Sequence, residues 1–413
     1  MEDDRVVGNQ RRHVLDGFKV LDFTQFVAGP TVSKLMAEMG SEVIKVEFAP
    51  DGDRCRSVAY VKNGRSGYFV QQNRGKMSLC VDVRTAAGKA ILRELVPKVD
   101  VLVENFAPGV IGRLGFDYQT VRELNPSIIM CSVSTFGQTG PLANDPGYDY
   151  IGQAYAGVTW LSGEDGGPHY PPMLAVGDVS TGVHALAAIA CALLYRDRTG
   201  QGQYLDISLL DAYFHYHDLN VQMMSASGGV MRPQRTGQHY AALCPAGIFK
   251  GRDGYLFVFA WLDHHWMKFC DIIGRPELGA DPRFADNASR LKNRSQVIEI
   301  IEHWLAQLPS NQAAVEMLRE ARIPSAPVLS VEQAMNHPHL RQRQTVQSVH
   351  DRLLGDFEIP GFPLRFSAFP ERLELEAPLL GEHNTKILAE YLAYTPSRIS
   401  ELEREGVLHS QPR

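Results

Sequence analysis

KVLDFTQFVAGPTVSKLMAEMGSEVIKVE, residues 19–47, decides the architecture. Two short runs rich in branched apolar residues, 19–23 and 42–47, flank a segment in which Pro30 suits the first turn of a helix running to about Met39. Strand, helix and strand within so few residues is the unit from which parallel sheets are built. The pattern continues outward. Residues 77–83, 100–104, 128–134 and 203–209 read as further strands, and Thr85 can cap a helix whose Gly88, Ile91, Leu92, Leu95 and Val96 share one face. Residues 179–195 are apolar nearly all round, so an enclosed helix is expected there, and a further helix should run from 209 to about Ser227. The expected fold class is α/β: a large Rossmann-like domain of alternating strands and helices plus a smaller α+β domain.

The break falls at SGGVMRPQRTGQ, residues 227–238, which is rich in glycine and basic residues and has no periodicity. Beyond it, 255–261 reads as a strand. Val297, Ile301, Trp304, Leu305 and Leu308 make one helical face, and 313–321 continues as a helix. The expected division is 1–227 for the first part of the large domain, 228–330 for linker and small domain, and 331–413 for a segment returning to the large domain. That last segment should hold a short extended piece at 357–359 and a helix at 384–392.

The 413 residues exceed what one core usually organises, and 44% hydrophobic content is ample for two. A net charge of −6 offers no general attraction to nucleic acid or to an anionic membrane, so neither is an expected partner. The longest apolar run, 185–195, has the length of a buried helix and falls short of a membrane span. Six scattered cysteines without a CxxC pair, and a start lacking a cationic segment followed by an apolar one, point to reduced thiols and a cytoplasmic location. The only approach to a G-x-G-x-x-G fingerprint, Gly200-Gln201-Gly202, lacks the third glycine and precedes a strand. No phosphate loop or nucleophile elbow occurs, and the histidine pairs 215/217, 264/265 and 337/339 lack ligand spacing, so no metal is expected.

What remains is Asp178, in Gly177-Asp178-Val179-Ser180-Thr181-Gly182, a carboxylate among residues too small to shield it at the start of an apolar helix. It could cap that helix, or it could attack an activated acyl group without a helper base, since carboxylates ionise near pH 4. Turns rich in Gly, Pro and Asn follow the expected strands at 27–30, 73–76, 105–109 and 136–141, with Arg113 close behind the third. Open α/β sheets place ligands at such turns, and these offer backbone amides and cations to a phosphate-bearing acyl compound.

With LDFTQFVAGP (21–30), EVIKVE (42–47), ENFAPGVIGRLGF (104–116), FGQTGP (136–141), PGYDYIGQA (146–154), GDVSTG (177–182), GQGQYLDISLLDA (200–212) and APLLGEHN (377–384), in order along nearly the whole chain, the sequence closely resembles the class III CoA-transferases, the CaiB/BaiF family. The resemblance implies transfer of CoA between an acyl-CoA and a free carboxylic acid. Asp178 matches the family's catalytic aspartate, which passes through a covalent aspartyl intermediate. Coenzyme A enters as part of the substrate, no cofactor is tightly bound, and an interlocked homodimer is implied.

Val27, Ala28, Asn105, Phe106 and Arg113 match positions that line or contact CoA. Phe48 and Ala107 stand where members often carry a cation, so Arg74 or Lys76, beside Asn73, are candidates to compensate. Valine at 27 in place of the glutamine of formyl-CoA transferases argues against formyl-CoA:oxalate exchange. Tyr148 and Asp149 fall on the substrate side. In the family's α-methylacyl-CoA racemases the position of Tyr148 is histidine, and tyrosine, ionising near pH 10, is a poorer base for α-proton transfer. Racemisation and a CoA-binding protein without turnover are the alternatives. The segment 228–247, with Met231, Arg232, Arg235, His239 and Tyr240, is expected to border the acyl group.

Overall fold

The structure, a computed structural model, describes residues 12–411. The chain divides into two compact units, one formed by residues up to Ala156, Met173–Tyr216 and Arg341 onward, the other by Gly157–Pro172 and His217–Leu340.

The first unit is built on β1 (Lys19–Asp22), β2 (Glu42–Phe48), β5 (Lys76–Val81), β6 (Val101–Glu104), β7 (Ile129–Ser134) and β8 (Gln203–Ser208); β3 (Val61–Lys62) and β4 (Arg65–Ser66) form a separate short hairpin. The six strands pair in parallel in the order β5-β2-β1-β6-β7-β8, with Val20 opposite both Val43 and Val101. Successive side chains alternate between the two faces, and both faces are covered. Leu21, Ile44, Leu79, Leu102 and Met130 pack with Leu92 and Leu95 of α3 (Ala86–Leu95) and with Ile387, Leu388, Ile399 and Leu402 near the chain's end. Val20, Val43, Val101, Val103 and Ile129 face Val32, Leu35 and Met36 of α1 (Ala28–Glu38), together with Ala185, Ile189 and Leu193 of a 24-residue helix, Val176–Thr199. Each fully buried aliphatic side chain stabilises by about 1.5–3 kcal/mol, so the two layers hold the sheet rigid beneath its loops.

The second unit contains the antiparallel sheet β11-β10-β9, with β9 at Ala246–Gly251, β10 at Gly254–Phe259 and β11 at Ser325–Pro327. Its core joins Leu256 and Val258 to Trp266, Phe269, Val297, Ile301, Trp304 and Leu318. Arg290 is buried within it because its guanidinium donates to the carbonyls of Cys244, Phe284 and Trp261.

Three expectations need correction. The Val176–Thr199 helix is not enclosed within the chain: one face packs on α1, but Val179, Val183, Leu194 and Tyr195 are exposed. By length and composition this helix could cross a membrane, yet Ala185 and Ile189 lie in the core and Arg196 is ion-paired to Asp100 at 2.8 Å. The helix expected to run from 209 to 227 breaks into Leu209–His215 and Asn220–Ala226. Finally, β12 (Val346–Asp351) and β13 (Gly355–Pro360) form an antiparallel pair of which only 357–359 was expected; polar side chains alternate along both strands and blur the period.

Candidate active site

The strand order reverses between β1 and β6, since the chain proceeds outward from β1 through β2 to β5 and from β6 through β7 to β8. A crevice opens at the carboxyl ends of strands at such a switch point. The two loops leaving β1 and β6 are tied together by one side chain: Asn105 accepts from the Gln25 amide and donates to the Gln25 carbonyl, both at 2.8 Å. Phe26 takes a φ of 66°, a strained left-handed conformation for a bulky residue, which turns the chain into α1. That helix begins at Ala28 with no side-chain cap from Val27, and the Pro30 ring removes one of its first donors.

These loops line a cavity of about 430 Å³ whose walls include Val27, Ala28, Asn105, Phe106, Tyr148 and Asp178. After α2 (Gly67–Asn73), α4 (Val110–Arg113), α5 (Tyr118–Leu124) and α6 (Asp149–Tyr155), the long helix Val176–Thr199 is α7, and Asp178 is its third residue. It does not cap the helix; Ala175 holds that position. One turn on, on the same face, a Cβ at Gly182 would stand 2.8 Å from the Ala28 carbonyl and 2.7 Å from Thr31. Only glycine permits this approach, and it sets Asp178 beside the start of α1.

Among the described residues nothing donates a hydrogen bond to the half-buried Asp178 carboxylate or pairs with it. Burial, and then the negative charge of Asp149, push its pKa up to about 7. Asp149, at the start of α6, is itself buried. Its Oδ1 accepts from the hydroxyl of Tyr213 in α8 (Leu209–His215), while Oδ2 has no partner among the described residues. The same hydroxyl accepts from the Gly177 amide at 2.9 Å. A Cβ at Gly177 would come 2.1 Å from the Tyr213 ring, so glycine is required there too.

The candidates therefore separate. Val27, Ala28, Asn105, Phe106 and Tyr148 converge with Asp178 on the cavity, and Asp149 stands behind it. Phe106 stacks on Phe48 at 5.6 Å, so the position lacking a cation supplies an aromatic face. Arg113 ends α4 as an exposed cation folded toward Gly109, outside the cavity wall.

Asn73, Arg74 and Lys76 are elsewhere. The Lys76 ammonium is fully buried, ion-paired to Asp22 at 3.0 Å and donating to Asn73 Oδ1 at 2.9 Å. Lys45 joins the same buried group by pairing with Asp53 at 2.8 Å and donating to the Thr24 carbonyl. These lysines brace the β1 loop from beneath, because leaving any one of the charges unpaired at this depth would be costly. Arg74 lines a different cavity.

Two residues of the site escaped the sequence reading. Arg54 is an exposed cation on the cavity wall, without an ion pair among the described residues; it sits in a polar loop where arginine carries no pattern. Tyr213 lies in an apolar run and reads as core until its hydroxyl's partners are seen. In the second unit, Arg235 lies over the Trp160 ring at 5.1 Å and contacts His169.

The chain matches the family described as CoA-transferase family III over residues 15–384. It is 34% identical over 380 residues to an acetyl-CoA:oxalate CoA-transferase of Acetobacter aceti, covering 92% of this chain and 96% of that one. With a succinyl-CoA:mesaconate CoA-transferase of Haloarcula hispanica it shares 35% identity over 387 residues, covering 91% and 96% respectively. A crystal structure of a CaiB/BaiF family protein from Brucella suis superposes with a TM-score of 0.81 at 32% identity, covering 92% of this chain and all of that one. A crevice at the sheet's switch point, a match along nearly the whole chain and agreement in fold lead to one assignment: this chain belongs to CoA-transferase family III and is an enzyme of CoA transfer.

Proposed function

We propose that the enzyme moves CoA from a short acyl-CoA to a dicarboxylic acid through covalent intermediates on Asp178. The observation that carries this reading is the Asp178 carboxylate, half-buried and held by no hydrogen bond among the described residues, in a cavity beside the start of α1. An Asp178 oxygen attacks the thioester carbonyl. The C–S bond breaks, leaving a mixed anhydride and CoA thiolate. The thiolate then attacks the aspartyl carbonyl and expels the first carboxylate, giving an aspartyl-CoA thioester. The acceptor carboxylate attacks that thioester to form a second anhydride and release the thiolate again, which attacks the acceptor's carbonyl and restores Asp178. Thioester energy is retained throughout, and no ATP is consumed.

The amides at the uncapped start of α1, that of Ala28 first, would receive the tetrahedral oxyanions. Arg54 and Arg113 serve the CoA phosphates, and the Phe48–Phe106 stack offers an aromatic face beside them. The names of the relatives, with oxalate and mesaconate as acids and acetyl-CoA and succinyl-CoA as donors, favour short donors and dicarboxylate acceptors. The exposed apolar face of α7 suits burial against a second copy, in line with a homodimer. Five buried and unpaired cysteines suit a reducing cytoplasm.

The test is to incubate the protein with succinyl-CoA, quench with borohydride and map the peptides. A reduced residue at position 178, with transfer falling by about a thousandfold or more in Asp178→Ala, is the expected result. An unmodified peptide with undiminished turnover overturns it. Deuterium entry at the α-carbon without ester exchange would instead identify a racemase.

A further inference from the structure

At the far end of α1, about 16 Å from the cavity that its first residues line, the same unit holds a second cavity of about 420 Å³. Three guanidiniums line it, from Arg74, Arg365 and Arg372. Among the described residues none of them forms an ion pair. Arg74 donates to the Leu375 carbonyl at 3.1 Å, Arg372 to the Phe362 carbonyl at 3.0 Å, and Arg365 to the Arg343 carbonyl. Burial lowers the pKa of both Arg74 and Arg372; the charge of Glu38 opposes it more strongly than Arg372 adds to it at Arg74, whereas at Arg372 the charge of Arg365 adds to it and Glu38 opposes more weakly.

Two carboxyl groups share the lining. Glu371 is exposed at the rim. The pKa of Glu38 is pushed up by burial, and one of its oxygens is buried without a partner among the described residues. The cluster is thus under-neutralised. Cations gathered in a concave, poorly solvated space attract a negative group that can take several N–H donors at once.

Aromatic side chains share the lining. Phe369 stacks on His13 at 4.9 Å and Phe366 meets it edge-on at 5.1 Å. His13 is 3% exposed. A volume of this size, lined by both aromatic rings and guanidiniums, has the make-up of a small-molecule site.

We propose that this second cavity binds a small organic carboxylate with a flat apolar body, its carboxylate held by Arg365 and Arg372 and its body laid against Phe366 and Phe369, independently of the acyl-CoA site. Planar guanidiniums match the two oxygens of a carboxylate, which phosphate or a bare inorganic anion would use without filling the apolar side.

Calorimetric titration of the full-length protein with phenylacetate, and with benzylamine as a cation of similar shape, tests this. Saturable phenylacetate binding at least about tenfold tighter than benzylamine is expected. It should weaken about tenfold in Arg365→Gln/Arg372→Gln and about threefold in the milder Arg365→Gln, whose side chain is exposed. The affinity for CoA should stay within about twofold in both variants, and saturating CoA should leave phenylacetate binding unchanged. Absence of saturable binding, equal binding of the amine, unchanged affinity in the variants, displacement by CoA, or occlusion of the cavity by a second copy in a crosslinked dimer would each overturn the proposal.

Discussion

Tyr213 holds Asp149 and the first turn of α7 through a single oxygen: its hydroxyl donates to Asp149 Oδ1 while accepting from the Gly177 amide at 2.9 Å, with Gln153 adding a third contact at 3.2 Å. Asp178 follows Gly177 directly, so the position of its carboxylate depends on a phenol in the next helix along the chain, α8. Tyr213→Phe keeps the ring and deletes all three bonds. It leaves a buried carboxylate oxygen and a helix N–H unsatisfied, which should cost about 2–4 kcal/mol in urea unfolding. The transfer rate should fall about 10–100-fold with the KM for acyl-CoA within about threefold, because misplacement affects the reacting geometry more than binding. An unchanged kcat would reduce Tyr213 to a stabilising role.

The raised pKa of Asp178 has a kinetic consequence. In the proposed mechanism the ionised form attacks, so kcat/KM should climb with pH and level off above about pH 7, where the free enzyme's carboxyl titrates. Burial is the larger cause and Asp149 the lesser. Asp149→Asn removes only the second, so the limb should move to lower pH by about half a unit to one unit. A profile flat between pH 5 and 8 would contradict the proposed environment.

The same shift reaches stability with a definite sign. The folded-state pKa, about 7, lies above the ordinary value of 3.8, so the folded form binds this proton more tightly than the unfolded chain does. Asp178 therefore costs nothing below about pH 4, its cost grows between about pH 4 and 7, and it is constant above that. Asp178→Asn should be more stable than the parent by about 1–2 kcal/mol at pH 8, a figure reduced for partial solvent access, and equal to it at pH 4. Urea unfolding at the two pH values checks this, and a gain at pH 4 that vanished at pH 8 would reverse the sign.

The β-α-β start of the chain is legible because its strands are buried on both faces and its helix is punctuated by Pro30. That Asn105, Phe106 and Asp178 line one crevice is legible because they fall in turns after strands or at a helix start, where open α/β sheets leave their crevice. Lys76 is misread for a physical reason: a lysine after a glycine turn is ordinarily solvated, and only the three-dimensional placement of Asp22 below it makes burial tolerable. Tyr213 and Arg54 carry no periodic or motif signal, since the first acts through a hydroxyl at the end of an apolar body and the second through mere proximity. The open face of α7 is also invisible in a sequence, because valine and leucine look alike whether they meet their own chain or a second one.

Lys76→Met separates support from ligand binding. Asp22 is held at a pKa of about 2 against its burial, with Lys76 the leading opposing charge, then Lys45, and hydrogen bonds from Ser33 and Thr24. Removing Lys76 strips the direct ion pair from a carboxylate with no access to water, a change that should cost about 3–5 kcal/mol. Asp22→Asn added to it should recover part of that loss, because the stranded charge goes with it. CoA affinity measured on the folded fraction should remain within about threefold, since the ammonium faces Asp22 and Asn73 and not the cavity. If Lys76→Met instead keeps its stability and loses CoA affinity by tenfold or more, the ammonium swings to the phosphates when CoA binds, and the first reading of this lysine as a phosphate-binding cation is restored.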